Sequence, residues 1–440
     1  MEDGDTDVPN HFVLFGLVMT QFLDLRIERP VAGGRMLAHQ GGRVVLVDGA
    51  IPGERVHARV DRERRDVIFA TVINVIEPDP DRRSVLSDPT CGGQNYLHVD
   101  YERQLQLKSE VIEDALRRMT KFDVPTPIAV SPSPERGYRM RSRLHAGSSG
   151  LGFLRGGTHK LCNSARTGQL LPDTSRVISK IGRRLSRSKY ESVLYVDLAE
   201  SIDGKMRVAN FHLKSSSESN VIAKWTADCG LVGVTCSRRG SSKIKVISGR
   251  PTISDPIDTL LQRNVTVPGL IARHASSFFQ GNRYLLPALV TEACRRVRSG
   301  PVLDLYAGVG LFSVTLAALG VENVTAVERD VSGYRDLVSN AKRTSIEASD
   351  NSVESFLAAS KTVIPGTVIV DPPRVGLSKM VVELLVDRGV STLVYIACDV
   401  ATFARDLRRF CDAGYGIEGI QAFDMFPNSS HVELMGTLTR

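Results

Sequence analysis

The chain carries the stretch Pro301–Gly310, PVLDLYAGVG, and this stretch decides its fold. An apolar run of strand length leads into a turn with two glycines, and the spacing of apolar residues over Val309–Leu319 predicts a helix directly afterwards. Glycines at such a turn let backbone N–H groups approach a ligand at the positive end of the helix. The stretch therefore predicts the first strand, turn and helix of an α/β domain that binds a nucleotide-like cofactor.

The alternation of strand and helix continues downstream. Further apolar strands are predicted at Val324–Glu328, Thr367–Val370 and Leu393–Ile396, with helices between them. Repeated βαβ units require a largely parallel, doubly wound sheet. We therefore predict an α/β domain over residues 266–440.

Glu328 bears on the identity of the cofactor. It ends the strand that follows the glycine turn, where a carboxylate can accept hydrogen bonds from both hydroxyls of a ribose. The turn does not complete the GxGxxG pattern found in dinucleotide-binding folds. Together these observations favour S-adenosylmethionine over NAD.

Two more domains are predicted upstream of residue 266. Residues 19–79 contain short strands separated by Gly, Pro and Asp, which is typical of a small OB-like β-barrel. Residues 80–265 are predicted to form an α+β domain, and its helix at 101–119 is expected to pack on the C-terminal domain. Residues 1–18 precede the first regular segment, and we expect an unstructured extension there.

Positive charge is clustered along the chain. There are 56 Lys and Arg against 49 Asp and Glu, a net charge of +7. Three arginines crowd one turn of the predicted barrel, and three more alternate along a predicted strand: Arg62, Arg64 and Arg65, and Arg139, Arg141 and Arg143. Such clusters suit phosphate contacts with RNA, so we predict RNA contact at both, although ordinary solvated surface is the alternative.

The cysteines and the apolar segments limit the class of protein. Seven cysteines without a CxxC pair indicate neither a disulfide framework nor a metal site, and they suit a reducing cytoplasm. The apolar run at 11–23 follows an acidic leader, which argues against a signal peptide, and it is too short for a membrane span. We therefore predict a cytoplasmic monomer without a membrane partner.

Five motifs carry a specific resemblance to a known family. They are SFFQGN (277–282), DLYAGVGLFS (304–313), DPPRVGL (371–377), VYIACDVATFARDL (394–407) and DMFPNSSHVE (424–433). In these motifs the chain resembles the S-adenosylmethionine-dependent RNA 5-methyluridine methyltransferases, whose catalytic domain is Rossmann-like. Residues 23–76 are similar to the RNA-binding TRAM barrel of the members that act on 23S rRNA. The resemblance implies methyl transfer to C5 of a uridine in RNA, with 23S rRNA as the expected substrate.

The resemblance also implies roles for individual residues. Because C5 of uracil is a poor nucleophile, a thiolate must first add at C6, and a base must later remove the C5 proton. Cys398 fits the nucleophile, Glu433 the base, and Arg374 a supporting cation. The implied cofactor-binding residues are Gln280, Tyr306, Gly308, Glu328 and Asp371. The target uridine would be flipped out of a duplex or taken from an unpaired loop.

The chain departs from the family pattern in three places. Iron–sulfur members carry four cysteines that hold the cluster. This chain has counterparts for only two of them, Cys91 and Cys162, so no cluster is expected. The loop after the nucleophile usually begins with asparagine, and an ionised Asp399 in its place is expected to raise the pKa of Cys398. Ser352 stands where an acid commonly contacts adenine.

Three other functions are alternatives to this interpretation. A transfer-RNA uridine is the alternative substrate within the enzyme class. A non-catalytic RNA-binding paralogue would explain Asp399 and the missing cysteines, but not the joint presence of Cys398, Glu433, Gln280 and Asp371. A small-molecule or DNA methyltransferase would explain neither the barrel nor the arginine strand.

Overall fold

A computed structural model gives the fold of this chain. It describes residues 12–15, 18–85, 87–119, 127–187, 192–214, 219–226, 228–241, 243–262, 266–298, 300–342, 344–359 and 366–440. The predicted extension at 1–18 therefore lies partly outside the described residues.

The N-terminal strands form one curved sheet. Its seven strands are β1 (Phe12–Phe15), β2 (Val18–Arg26), β3 (Arg29–Pro30), β4 (Met36–Gln40), β5 (Arg43–Asp48), β6 (Arg55–Glu63) and β7 (Val67–Glu77). They lie in the order β1-β2-β6-β7-β5-β4-β3. Alternate residues of β2, β4, β5, β6 and β7 are buried in a common apolar core. Because β1 pairs with β2, the expectation of an unstructured extension is corrected for Phe12–Phe15.

A long helix joins this sheet to the rest of the molecule. Helix α1 (Tyr101–Met119) places Leu107 in the core of the N-terminal sheet, and it places Ile112 and Leu116 in the core of the C-terminal sheet. The short strand β8 (Val130–Ser131) follows and pairs with the edge of the C-terminal sheet. Helix α1 therefore packs on the C-terminal domain, and it also packs on the N-terminal sheet.

The central region is a sheet with helices on one face. Its strands are β9 (Arg141–Gly147), β10 (Gly150–Leu154), β11 (Leu161–Cys162), β12 (Val193–Glu200), β13 (Arg207–Leu213), β14 (Gly233–Arg238) and β15 (Ile244–Gly249). Helices α2 (Pro172–Arg187) and α3 (Ser219–Thr226) share their apolar core with the sheet. Strands β16 (Thr252–Pro256) and β17 (Leu270–His274) pair with each other and lead into the C-terminal domain.

The C-terminal domain is a doubly wound α/β sheet, as the sequence predicts. Its helices are α4 (Leu286–Arg295), α5 (Leu311–Ala318), α6 (Val331–Ala341), α7 (Val353–Ala359), α8 (Lys379–Asp387) and α9 (Val400–Asp412). Its strands are β18 (Val302–Leu305), β19 (Val324–Val327), β20 (Glu347–Ser349), β21 (Thr367–Val370), β22 (Thr392–Ala397), β23 (Gly416–Phe423) and β24 (Glu433–Thr439). The order is β20-β19-β18-β21-β22-β24-β23-β8; β18 to β22 are parallel, and β24 runs antiparallel to its neighbours.

One covalent cross-link lies outside the sequence prediction. Cys91 and Cys162 form a disulfide, with their Cα atoms 5.8 Å apart. Gln94, at the place of a third cluster cysteine, donates a hydrogen bond to the Thr167 carbonyl at 3.0 Å. The expectation of no disulfide is therefore wrong for this pair, because folding brings together two cysteines that are 71 positions apart.

Two further observations concern the described part of the chain. No helix there combines the length and the apolar character needed to cross a bilayer. No three of its His, Cys, Asp and Glu side chains are grouped so as to hold a metal ion.

Candidate active site

The site lies where the direction of strand order changes. Strands β18 and β21 are neighbours in the sheet, with Leu305 paired to Val370. Strands β19 and β20, which follow β18 in the chain, lie on one side of this pair. Strands β22 to β24, which follow β21, lie on the other side. Crevices at such a switch point, at the carboxyl ends of parallel strands, bind ligands in α/β proteins. Tyr306 and Asp371 directly follow these two strands and therefore stand at the crevice.

The glycine turn forms a cradle whose conformation requires glycine. Gly308 and Gly310 have φ angles of 59° and 88°, in the left-handed region. A Cβ atom at Gly310 would lie 2.8 Å from side-chain carbons of Val314 and Leu337. The Gly308 N–H donates to a carboxylate oxygen of Glu328 at 2.7 Å. The turn and the acid predicted to hold the ribose are thus in direct contact.

The turn of Gln280 lies against the same crevice. Its side-chain amide, 4 % exposed, donates to Asp371 Oδ2 at 3.1 Å. A Cβ atom at Gly308 would lie 4.0 Å from the Phe278 carbonyl, so this turn also borders the glycine turn. Burial raises the pKa of Asp371 to about 7. The structure therefore brings all five predicted cofactor residues to one edge of the sheet.

A cavity of about 410 Å³ opens beside this cradle. Tyr306, Pro373 and Leu377 contribute to its lining, together with the carboxylate of Glu354. Ser352 precedes helix α7, where its hydroxyl accepts a hydrogen bond from the Ser355 N–H at 3.1 Å. Glu354, two residues after Ser352, is an acid at the cavity that the sequence analysis did not single out.

The nucleophile and base candidates face each other across two paired strands. Ala397 of β22 is paired with Leu434 of β24, and this register sets Cys398 opposite Glu433. Paired residues of antiparallel strands have Cα atoms roughly 5 Å apart. Glu433 is only 3 % exposed, whereas Cys398 is half-buried. The pair is therefore close together and partly shielded from water.

Burial and charge oppose ionisation of both groups. Burial raises the pKa of Cys398 to about 11, and the carboxyl groups of Glu433 and Asp371 act in the same direction. Burial, followed by the Asp371 carboxyl, raises the pKa of Glu433 well above its ordinary value. The Arg374 guanidinium lowers the pKa of both groups, which is the supporting role predicted for it.

Asp399 has a structural role that differs from the expectation. Its carboxylate caps helix α9 by accepting a hydrogen bond from the Thr402 N–H at 2.9 Å. The groups that raise the pKa of Cys398 are instead the buried surroundings, Glu433 and Asp371. Asp399 was expected to raise the pKa of Cys398 because it is the nearest acid along the chain.

The segment before the base is fixed by residues that the sequence analysis missed. We call Asp424–Val432 the base loop, since it leads directly into Glu433. Two buried side chains on one face of helix α1, Gln104 and Lys108, bond to this loop. Their spacing of four residues was visible in sequence as part of the helical pattern, but nothing in that pattern named their partners.

The predicted RNA-binding arginines divide into two groups. Arg62 and Arg64 are exposed, with guanidinium carbons 4.0 Å and 6.0 Å from the ring centroid of Phe69, and Arg65 is exposed in the same turn. The prediction of three guanidinium groups on one strand face is wrong, because β9 begins only at Arg141.

Each arginine of that segment makes a different contact within the protein. Arg139 donates to Gln169 Oε1 at 2.6 Å, and Arg141 donates to the Ser277 carbonyl at 3.1 Å. Arg143 forms a two-pronged ion pair with Asp197, at 2.8 Å and 3.1 Å. The protein itself therefore engages all three guanidinium groups.

This chain is similar to known proteins in both sequence and structure. The model of the tRNA (uracil-5-)-methyltransferase family matches residues 358–440. A protein named uncharacterized RNA methyltransferase, from Thermotoga maritima, is 30 % identical over 449 residues, which cover 94 % of this chain and 98 % of the relative. A 23S rRNA (uracil(1939)-C(5))-methyltransferase from Halomonas elongata is 30 % identical over 434 residues, covering 91 % and 87 %.

Among solved structures, a likeness extends over almost the whole chain. It is to the tRNA (uracil-54, C5)-methyltransferase of Pyrococcus abyssi in complex with S-adenosyl-L-homocysteine. The TM-score is 0.73 and the sequence identity 25 %, with 94 % of this chain and 99 % of that chain covered. The likeness therefore includes the sheets upstream of the C-terminal domain.

Proposed function

This chain belongs to the family of S-adenosylmethionine-dependent RNA (uracil-C5) methyltransferases, and from that premise we propose that it methylates C5 of a uridine in 23S rRNA through a covalent adduct. The observation that carries the proposal is the register of β22 and β24, which brings Cys398 next to Glu433, close enough for the Glu433 carboxyl to raise the pKa of the Cys398 thiol. The cofactor cradle lies beside this pair. A nucleophile, a base and a methyl donor site at one crevice are what this reaction needs.

The residues of the cradle fit S-adenosylmethionine. The Glu328 carboxylate, fixed by the Gly308 N–H, would receive the ribose hydroxyls. Gly308 and Gly310 in the turn before α5 have left-handed φ angles and carry no side chain, so the backbone there can approach a ligand closely. Gln280 and Asp371 would hold the end of the cofactor that reacts. When bound, the cofactor supplies an electrophilic methyl group on a sulfonium.

Cys398 begins the reaction on the uracil ring. The thiol first loses its proton to the solvent. The thiolate sulfur then bonds to C6, and the electrons of the C5=C6 bond shift toward C5 and O4, which makes C5 nucleophilic. After C5 has gained the methyl group, Glu433 removes the C5 proton. The C5=C6 bond re-forms, the S–C6 bond breaks, and the thiolate leaves. Arg374 stabilises the anionic forms of both side chains, in keeping with its effect on their pKa values.

The N-terminal sheet and the catalytic turn offer contacts for RNA. Arg62 and Arg64 group around the Phe69 ring on an exposed surface, where guanidinium groups can meet phosphates. The guanidinium carbon of Arg141 lies 5.7 Å from the ring centroid of Phe278. Phe278 is 57 % exposed and stands two residues before Gln280 of the cofactor site. An exposed aromatic ring beside a cation suits stacking of an unpaired base. We assign the predicted TRAM-like role to the N-terminal sheet on this basis.

A transfer-RNA uridine is the second candidate substrate. The likeness to the Pyrococcus abyssi enzyme, which covers 94 % of this chain, favours it. The 23S rRNA assignment is supported by the named relative from Halomonas elongata. Both substrates use the same chemistry at Cys398. We propose that the enzyme is a monomer and acts in the cytoplasm.

Methyl transfer from labelled S-adenosylmethionine tests the function and the substrate together. The acceptors are 23S rRNA and transfer RNA, each made without 5-methyluridine, and the products are analysed as nucleosides. Label in 5-methyluridine from 23S rRNA is the expected result, and label only from transfer RNA would replace it by the second candidate. No label from either RNA would contradict the proposed reaction.

Covalent trapping tests the roles of the two side chains. Fluorine at C5 cannot leave as a proton, so RNA with 5-fluorouridine should form a stable adduct that Cys398→Ala abolishes. Glu433→Gln should accumulate an adduct on ordinary RNA, because only proton removal is impaired. An adduct that persists in Cys398→Ala would show that another residue is the nucleophile.

A further inference from the structure

The base loop approaches Glu433 in a conformation that needs external support. Asn428, in the middle of the loop, has a φ angle of 65°, in the left-handed region that few side chains other than asparagine adopt. Such a backbone conformation persists only when its surroundings hold it. The residues that support the loop therefore help to set the path of the chain into Glu433. Besides the two residues of helix α1 described next, Arg83, Tyr96 and Asn95 hydrogen-bond to the loop.

Gln104 of helix α1 contacts both the backbone and the side chain of Asn428. Its side-chain oxygen accepts a hydrogen bond from the Asn428 N–H at 2.9 Å, and its amide nitrogen lies 3.1 Å from Asn428 Oδ1. The same amide donates to the carbonyls of Val99 and Tyr96 at 3.0 Å and 3.2 Å. Gln104 is completely buried, so water does not replace these bonds.

Lys108, one helical turn later, holds the start of the base loop. It forms a buried ion pair with Asp424, and its ammonium lies 3.4 Å from the Phe426 carbonyl. The side chains of Lys108 and Asp424 are 1 % and 0 % exposed. Removing one member of such a buried pair leaves the other charge without compensation. One face of α1 thus fixes the loop at two points.

The nucleophile shares the pairing of β22 with β24 with the base, but it has further supports of its own. Cys398 directly follows β22, which lies between β21 and β24 in the sheet, and precedes α9, whose first turn is capped by Asp399. Gln104 and Lys108 make no hydrogen bond to this segment among those of the described residues. A disturbance of the α1 contact should therefore move the base and leave the nucleophile in place.

We propose that Gln104 and Lys108 are positioning residues that hold Glu433 for removal of the C5 proton. The inference rests on the proposed function and deepens it, since it assigns a role to helix α1 that neither the motifs nor the family names supply. The role is confined to the second half of the reaction, after C5 has gained its methyl group. The first half, in which Cys398 bonds to C6, does not depend on it.

The test compares Gln104→Met with Gln106→Met, a matched change two residues away at an exposed position of the same helix. Each protein is given S-adenosylmethionine and either ordinary RNA or 5-fluorouridine RNA, and denaturing gels separate the covalent adduct. For Gln104→Met we expect at least tenfold slower turnover and an accumulated adduct on ordinary RNA. The rate of adduct formation on 5-fluorouridine RNA should stay within twofold of wild type. Gln106→Met should match wild type on both RNAs.

Equal slowing on both RNAs would mean that Gln104 supports the fold in general and would overturn the proposal, as would unchanged turnover. Asn428→Gly is the second variant, because it keeps the left-handed conformation and removes the side-chain oxygen that both Gln104 and Arg83 contact. The same pattern is expected from it. Melting temperatures identify a variant that has failed to fold, in which case the Asn428→Gly result decides. Wild type without any 5-fluorouridine adduct would overturn the proposed function, and this inference with it.

Discussion

The Cys398 thiol lies in surroundings that keep it protonated in the free protein. Its pKa is raised to about 11 by burial and by two neighbouring carboxyl groups, so the thiolate is a minor species near neutral pH. Arg374 is the cation that opposes this effect. An enzyme with these features keeps its nucleophile unreactive until the substrate changes the surroundings of the thiol.

Alkylation of Cys398 should therefore depend steeply on pH. With iodoacetamide and no RNA, we expect the rate at Cys398 to rise about tenfold per pH unit between pH 7 and 9, because the thiolate fraction does so below the pKa. Arg374→Met should slow alkylation at every pH in this range, since it removes the stabilising cation. Peptide mass spectrometry measures the rate at this residue. A rate that levels off below pH 9 would show an ordinary thiol.

Glu433 should make the stability of the protein fall as the pH rises. Burial raises the pKa of this carboxyl in the folded state, so between the unfolded value, about 4.3, and the folded value the native protein binds more protons than the unfolded chain. Stability is then highest below the unfolded pKa and declines up to the folded pKa, by about 1.4 kcal/mol for each pH unit between the two values. The charge-free variant Glu433→Gln lacks this decline.

The melting temperatures of wild type and Glu433→Gln measure this difference. The advantage of the variant should be small at pH 4 and should grow toward pH 8. A constant difference across this range would show that the carboxyl titrates normally in the folded protein.

Helix α9 begins at the residue after Asp399, and its first turn depends on that cap. Asp399→Ala should lower the free energy of unfolding by about 1 kcal/mol, because the Thr402 N–H loses its acceptor. Asp399→Asn should be close to wild type, since asparagine caps helices as well as aspartate does. Urea unfolding of the three proteins makes the comparison. Equal losses in the two variants would mean that the charge matters more than the cap.

Helix α1 was predicted from its apolar spacing, but its role was not. Spacing reports which face of a helix is buried, and here that face carries Gln104 and Lys108 among apolar residues. Their partners lie 324 and 316 positions away, a distance at which sequence pattern gives no information on contact. The arginine alternation failed for a similar reason, because Arg139 lies before the start of β9 and bonds to Gln169 instead.

At the scale of the whole molecule, the sequence predicted the C-terminal α/β domain, and the structure brings the candidate site residues to one edge of its sheet. The strand, glycine turn and helix at 301–319, the later strands and the motifs with Cys398 and Glu433 are local patterns whose geometry follows from the α/β fold. The family and the cofactor class are confirmed by the comparisons. The Cys91–Cys162 bond was missed, because pairing depends on the fold of the central region and not on spacing.

The disulfide should contribute measurably to stability. Its closure links residues 71 positions apart, and the loss of chain entropy in the unfolded state corresponds to about 4 kcal/mol. Reductant should therefore lower the free energy of unfolding of wild type by up to this amount, as measured by denaturant titration. A Cys91→Ala, Cys162→Ala double variant should be insensitive to reductant. An unchanged wild type under reducing conditions would show that the bond does not restrict the unfolded chain.

The contact between helix α1 and the base loop can form only late in synthesis of the chain, because its two sides are far apart in sequence. A ribosome that adds about 5–20 residues per second produces Gln104 and Lys108 some tens of seconds before their partners in the loop. Through this interval the nascent chain carries Lys108, Ile112 and Leu116 without the C-terminal partners that bury them in the finished protein. Catalytic competence arrives only after Glu433 has been translated and the loop has docked. An unfinished chain is therefore inert toward the RNA of the ribosome that is making it.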